Sequence, residues 1–384
     1  MHDFLTHAQS EQRKLILFLK ELVECESPSD SPESLNRFVE LFAERVGDIA
    51  DCRTVSAGSR FGKHLRCDFR MPGPSRKRPG RILGVGHSDT VWPLGTLRTM
   101  PFREEDGRLF GPGVLDMKAG LALFVFALRM LRDLDIPLCR EVSLWIVSDE
   151  EVGSESSRPH TEKIASKSSS VLVLEPGTGL TGKLKTARKG VGDYTVRVRG
   201  RASHAGVDFT KGASAVVELA RQIERIAGFT QIERGLTVNP GVIRGGTRTN
   251  VVAAEAVCEV DIRVARMRDA APLDKKFRAL KPIDKRCSIE VDGGLNRPPM
   301  ERTKGIADLF RTAKKLAAGF GVELEESSTG GGSDGNFTAA LGIPTLDGIG
   351  AVGEGAHAEN ESILVNRIAD RVALLAALVE HLGT

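Results

Sequence analysis

The chain is 384 residues long, enough for two domains or one large one, and 41% hydrophobic with 27% charged residues, which excludes a disordered or fibrous protein. Its formal net charge is only +3, and no basic tract is interleaved with aromatics, which argues against a nucleic-acid partner. Six cysteines without a CxxC pair or a framework spacing argue for reduced thiols and a cytoplasmic setting. The N-terminal segment MHDFLTHAQSEQRKLILFLKELVE has no basic region followed by a long apolar run. Its Leu15, Phe18, Leu19, Leu22 and Val23 recur at helical spacing, which predicts an amphipathic helix rather than a signal segment. GPSRKRPG (73–80) reads as a polar turn before the strand RILGVG (81–86). A long loop through Trp92 and Pro101 then leads to AGLALFVFALRML (119–131), too short to cross a bilayer and read as a buried helix, so no membrane partner is expected. A strand EVSLWIVS (141–148), a helix in the 150s and 160s and a strand VLVLEP (171–176) follow. Continuous apolar strands alternating with helices predict an α/β fold with a mostly parallel, helix-covered sheet.

Near residue 188 the texture changes. DYTVRVRGR alternates apolar and polar residues as a half-exposed antiparallel strand does, a helical segment spans 212–226, and LTVNPGVI (236–243) and AVCEVDIRVA (256–265) read as further strands. In the last of these Ala256, Cys258, Val260, Ile262 and Val264 share one face, and Glu259, Asp261 and Arg263 the other. Residues 188–299 are therefore expected to form an inserted α+β domain. The flanking stretches 1–187 and 300–384 are expected to form one domain, the second carrying a helix at 305–318, the turn TGGGSDG, a strand IPTLD and a final helix.

Five short segments carry the candidate chemistry: GHSDT (His87, Asp89), GVLDMK (Asp116), SDEEVG (Glu150, Glu151), VLEPG (Glu175) and GAHAEN (His357). Most of them lie at the end of an apolar strand or in a glycine-rich turn, where an α/β sheet presents side chains to a ligand crevice. Two imidazoles and at least three carboxylates, with no cysteine nearby, suit divalent zinc, cobalt or manganese. One carboxylate of the adjacent pair Glu150-Glu151 is left over to act as a general base. Asp89, two residues beyond His87, can accept the second ring N–H of a metal-bound histidine. Taken singly, each has a plainer explanation: an incidental His-x-Asp turn, an Asp116 that caps the following helix, exposed loop acids. The ordered set of five favours the metal reading.

That ordered set resembles the zinc-dependent exopeptidase and aminoacylase family of co-catalytic metallopeptidases. Within the family it is most similar to glutamate carboxypeptidases of the carboxypeptidase G type, through GHSDTVWPLGTL, PFREEDGRLFGPGVLDMKAG, RGRASHAGVDFTKGASAV, GGTRTNVV and EVDIR. The resemblance implies two divalent ions per subunit, zinc first, with cobalt or manganese as alternatives. His87 and Glu175 would hold one ion and Glu151 and His357 the other, with Asp116 bridging, Asp89 orienting His87 and Glu150 acting as general base. It also implies a cis peptide after Asp116.

The inserted domain would mediate homodimerisation and form a lid, with His204 reaching the partner subunit's site to stabilise the tetrahedral oxyanion. Asn250 and Arg263, with Arg297 on a looser match, would contact substrate. The plainer alternatives are an ion pair of Arg263 with Glu259 or Asp261 across strands, and a simple loop histidine at 204. His2, His7, His64, His160 and His381 have no such context and read as surface or helix residues.

The expected activity is hydrolysis of an amide bond beside a free carboxylate in a small-molecule or peptide substrate, releasing C-terminal glutamate. The alternatives are a general N-acyl amino acid deacylase or dipeptidase of the same family. From another class comes a non-catalytic, metal-stabilised binding or dimerisation protein. The spare Glu150 disfavours that last reading.

Overall fold

The computed structural model describes residues 3–384, so His2 lies outside the described residues. The chain divides into two compact units. The first takes the chain up to Ala187, then Arg302–Ser328 and Ser333–Thr384; the second takes Arg188–Glu301 and Thr329–Gly332. Thr329–Gly332, expected from the sequence to lie in the returning segment, thus belongs to the second unit. Its backbone explains why: Arg188 and Arg263 donate to the carbonyls of Gly330, Gly331 and Gly332, and Lys189 N–H to that of Thr329.

The first stretch contains β1 (Ala50–Val55), β2 (His64–Phe69), β3 (Arg81–His87), β4 (Arg103–Glu105), β5 (Arg108–Phe110), β6 (Val142–Val147), β7 (Ser168–Val173) and β8 (Leu184–Arg188). Next come β9 (Gly190–Arg199), β10 (Thr237–Gly245), β11 (Glu255–Val264) and β12 (Ser288–Arg297). The returning chain adds β13 (Glu326–Thr329), β14 (Thr345–Asp347), β15 (Gly353–Glu354) and β16 (Ser362–Leu364). The helices are α1 (Phe4–Glu24), α2 (Pro32–Val46), α3 (Ala119–Asp133), α4 (Arg158–Ala165), α5 (Ala215–Ala227), α6 (Ala270–Arg278), α7 (Lys304–Ala318), α8 (Gly335–Ala340) and α9 (Ile368–Gly383).

In the first unit eight strands run in the order β1-β2-β6-β3-β7-β14-β8-β13, with β6, β3, β7 and β14 mutually parallel at the centre. These strands lack polar alternation because both faces are covered. Ile82, Leu144, Ile146 and Leu172 face a core shared with α1, α3 and α9, while Leu83, Val85, Trp145, Val147 and Val173 face a smaller core that includes Ala165 of α4. The even and odd residues of each strand therefore serve opposite layers, as the period of two requires. Each large apolar side chain buried this way stabilises by about 1.5–3 kcal/mol. α3 is buried along almost its whole circumference. A Cβ at its Gly120 would come within 2.0 Å of the Leu174 carbonyl oxygen, so only glycine lets the start of α3 lie against the end of β7.

The second unit is an antiparallel sheet of order β10-β11-β9-β12. The inward residues of β11, Ala256 through Val264 in steps of two, pack on Leu219 and Ile226 of α5 and Leu273 and Phe277 of α6. Tyr194 of β9 stacks on Phe277 with ring centroids 3.8 Å apart. Edge strand β10 carries Pro240, which an edge tolerates, with a register shift between Pro240 and Val242. Among the described residues no helix is long and apolar enough to cross a membrane.

Candidate dimetal active site

β3 and β6 run parallel with His87 opposite Val147, and β7 runs parallel on the other side with Val85 opposite Val173. His87 therefore ends its strand beside the turn that carries Glu150 and Glu151, and beside Glu175. This is the carboxyl edge of the parallel sheet, the usual place for a ligand crevice in such folds. Asp116 lies in an irregular turn before α3, and His357 in the loop joining β15 to β16. His357 holds φ at +62°, a left-handed conformation uncommon outside glycine and concentrated at functional sites. The Asp116-Met117 peptide is cis.

The side chains converge on Asp116. Its Oδ1 lies 3.1 Å from His87 Nε2, and its Oδ2 lies 3.4 Å from His357 Nε2. Glu175 Oε1 stands 3.6 Å from the same His87 nitrogen, and Glu151 Oε1 stands 3.1 Å from the His357 nitrogen. One carboxylate thus divides its two oxygens between two histidine–glutamate pairs. Ligand atoms of His87, Asp116 and Glu151 all lie within 4.8 Å of one another.

The electrostatics call for cations here. Burial alone would lower the His87 pKa, but hydrogen bonds to Asp116, Asp89 and Glu175 outweigh it and raise the pKa well above the usual imidazole range. His357, half exposed, is pushed up to about 10 by its hydrogen bonds to Asp116 and Glu151. Burial works to raise the Asp116 pKa, yet the two imidazoles overcome it and hold the group well below the carboxylate range. Burial lifts Glu151 against the pull of His357. Protons on the imidazoles here offset the carboxylate charge. Divalent ions would do the same, and nitrogen and oxygen donors of this kind suit them. The residues present fit such a centre.

The structure removes the plainer explanation of Asp116 and adds partners to Asp89. Asp116 does not cap α3, which begins at Ala119 after Lys118 with no side-chain cap; Asp116 itself is non-helical and faces the two histidines. The Asp89 carboxylate does approach the second ring nitrogen of His87, Oδ1 to Nδ1 at 3.5 Å, and the Asp89 backbone oxygen lies closer to that nitrogen, at 2.9 Å. The fully buried carboxylate accepts the backbone N–H groups of Glu150 and Glu151 at 3.2 and 3.1 Å, and the Ser29 hydroxyl at 3.0 Å. Glu150 is half-buried in the same short turn.

The remaining candidates belong to the second unit. His204 is exposed, and its Nδ1 accepts the backbone N–H groups of Gly206 and Val207 at 3.1 and 3.2 Å. In the neutral ring the proton then sits on Nε2, which is a donor. An antiparallel bridge joins His204 to Val251, beside the exposed Asn250. Arg263 grips Asp261 with paired contacts of 2.8 to 3.1 Å and also donates to Gly330. The ion pair considered as its plainer alternative therefore exists, but along one strand rather than across strands. Arg297 is buried, packed on Gly332 so tightly that a Cβ there would come within 2.8 Å of its side chain.

Sequence reasoning missed two residues. Glu361 is fully buried, and its carboxylate accepts from the backbone N–H groups of Gly113, Leu115 and Asp116 and from the Trp92 indole. Burial raises its pKa in spite of those donors. Nothing in the run AENES separates it from a solvated loop acid. His64, read as a surface or helix residue, is fully buried on β2. Its Nδ1 accepts the Ser148 N–H, and its Nε2 meets the Ser156 hydroxyl, which in turn donates to Asp149. Its flanks, GKHLRC, show only ordinary strand alternation. His7, His160 and His381 do lie in helices.

Residues 84–381 match peptidase family M20/M25/M40. Carboxypeptidase G2 of Pseudomonas sp. (strain RS-16) is 29% identical over 98% of this chain and 91% of its own length. The succinyl-diaminopimelate desuccinylase of Azoarcus sp. (strain BH72) is 30% identical over 74% of this chain and 78% of its own. Among solved structures, the aminopeptidase PepT of Bacillus cereus superposes with a TM-score of 0.81 at 24% identity, covering 97% of this chain and 99% of that one. With the family match spanning most of the chain, this protein is a hydrolytic enzyme and a member of peptidase family M20/M25/M40.

Proposed function

We propose that this enzyme is a two-metal carboxypeptidase that hydrolyses the amide bond next to a free carboxylate and releases C-terminal glutamate. The observation that carries the reading is the division of the Asp116 oxygens between His87 with Glu175 and His357 with Glu151. These five residues would hold two divalent ions, zinc first and cobalt or manganese as alternatives. Such ions, when bound, make a water more acidic and polarise the scissile carbonyl. Glu150 would take the proton of the attacking water and deliver it to the leaving amine. Asp89 would fix the turn from which Glu150 and Glu151 project.

His204, with its N–H at Nε2, is suited to donate to the oxygen that gains charge in the tetrahedral state. Arg297, Arg263 and Asn250 would receive the substrate carboxylate, which arginine can grip with two parallel hydrogen bonds. We further infer a homodimer through the second unit, in which His204 serves the partner's site. The exposure of Val242 and Ile243 on edge strand β10, with Val216 and Val217 on α5, supports it. A deacylase reading keeps a place because one relative is a desuccinylase, and the metal chemistry is shared.

The test is a metal-stripped preparation reloaded with zinc, cobalt or manganese and assayed on N-acyl amino acids differing only at the C-terminal residue. Two ions per chain and preferred release of glutamate are expected. Saturation at one ion overturns the two-metal reading. Equal or better turnover of N-acyl alanine or leucine moves the assignment to a general deacylase.

A further inference from the structure

We propose that Glu361 is a positioning residue that pre-sets the Asp116 carboxylate and ties it to the loop carrying His357, before any ion binds. The role of this loop arrangement in metal binding rests on the two-metal reading above; the positioning itself does not.

The turn from Gly113 to Asp116 is irregular backbone in the protein interior, so its N–H groups cannot turn to water and need acceptors. Glu361 provides them from far along the chain. Its Oε1 accepts from Leu115 at 2.8 Å and from Asp116 itself at 3.0 Å. Its Oε2 accepts from Gly113 at 2.9 Å and from the Trp92 indole at 2.8 Å. Every acceptor position of one ionised carboxylate is thereby matched to a donor, and hydrogen bonds to a charged acceptor are the strong kind. The buried Lys118, which donates to the Cys25 carbonyl at 2.9 Å, places a positive charge in the same region.

The other end of the link is equally short. Glu361 follows His357 by four residues, and the chain between them folds through the Ala358 N–H to Gly355 and the Glu361 N–H to Ala358, at 2.8 and 2.9 Å. Asp116 and His357, 241 positions apart in sequence, are therefore fixed relative to each other through one side chain. Across this link His357 Nε2 and Asp116 Oδ2 approach to 3.4 Å. Glutamine cannot substitute. Its amide NH2 would face N–H donors and leave at least two of them without an acceptor, although its shape is the same. Aspartate keeps the charge and both oxygens but reaches less far.

Metal-free Glu361→Gln and Glu361→Asp proteins, compared with wild type, test the positioning by amide hydrogen exchange. Glu361→Gln is expected to accelerate exchange about tenfold at the amides its NH2 comes to face, either Leu115 and Asp116 or Gly113, with β3 and β6 unchanged, and Glu361→Asp to lie between it and wild type. On adding Co2+, the Gln variant should bind about 10- to 100-fold more weakly, the range seen when groups supporting a ligand are lost, with an altered visible spectrum that the Asp variant partly restores. Wild-type exchange at the three amides in Glu361→Gln overturns the proposal. Should that variant not fold, the Asp variant decides by the same amides. A wild-type chain that binds no divalent ion sinks the two-metal reading alone, and the exchange result still decides the positioning.

Discussion

The Oδ2 of Asp89 accepts the backbone N–H of Glu151 at 3.1 Å, while its Oδ1 takes that of Glu150 at 3.2 Å. A carboxylate expected to serve the imidazole below it thus also fixes the acidic turn. The two oxygens hold consecutive residues, whose side chains diverge, so one residue can face an ion and the other a water. Asp89→Asn keeps the volume but turns an NH2 toward one of those donors. We expect kcat/KM to fall about 10- to 100-fold with weaker metal retention. Steady-state kinetics with metal analysis check this, and wild-type values in both would remove Asp89 from the site's framework.

Glu150 and Glu151 should separate cleanly. Glu150→Gln is expected to keep its metals and fold yet lose about 100- to 10,000-fold in turnover, the usual contribution of general base catalysis. Glu151→Gln, which alters the group 3.1 Å from His357, should lose metal first. Identical metal content and rates in the two variants contradict the assignment.

Mixing inactive His204→Ala with inactive Glu150→Gln subunits should restore part of the activity, because each heterodimer would contain one intact composite site. Activity is measured after subunit exchange has been demonstrated by mass. Failure to recover any would return His204 to its own subunit's chemistry or to none.

For substrate recognition, Arg297 and Arg263 are the candidate cations. Arg297→Ala or Arg263→Ala is expected to cut kcat/KM for C-terminal glutamate substrates about 10- to 100-fold, in line with the loss of a hydrogen-bonded charge contact, with metal content intact in both. An Arg297→Ala enzyme that still prefers glutamate over alanine counts against this role.

His64 predicts a pH dependence of stability. Burial, the largest influence, lowers its pKa against the opposing charge of Asp149. The unfolded chain takes up the proton near pH 6.5 and the folded chain only at lower pH, so the unfolded state binds more protons in between. Stability is thus complete above about pH 6.5 and declines as pH falls toward the folded value, by at most about 1.4 kcal/mol per pH unit. His64→Gln should be less stable at pH 8, and its deficit should shrink between pH 6.5 and 5. Urea midpoints across that range decide it; a deficit independent of pH means that His64 does not titrate there.

The sequence by itself determined a good deal of this protein. The apolar stretches within β3, β6 and β7, buried residue after residue, can be satisfied only by burial on both faces, and the alternation in β11 only by burial on one, so the parallel sheet and the antiparallel unit were both legible. Chemistry-bearing residues at the ends of those runs were legible for the same reason, because the pattern that buries a strand also locates where it stops. Only the tertiary structure decided which atoms meet. That Asp116 faces two histidines instead of capping α3, and that Asp89 spends its carboxylate on the Glu150-Glu151 turn, follow from parallel strand ends and an irregular turn brought together in space. Glu361 and His64 were invisible for a related reason. Their neighbours in sequence are those of a loop acid and a strand residue, and what sets them apart is donors and acceptors contributed by segments up to 269 and 92 positions away. Local pattern records which side of an element is buried; it does not record the distant partner a buried polar group must find.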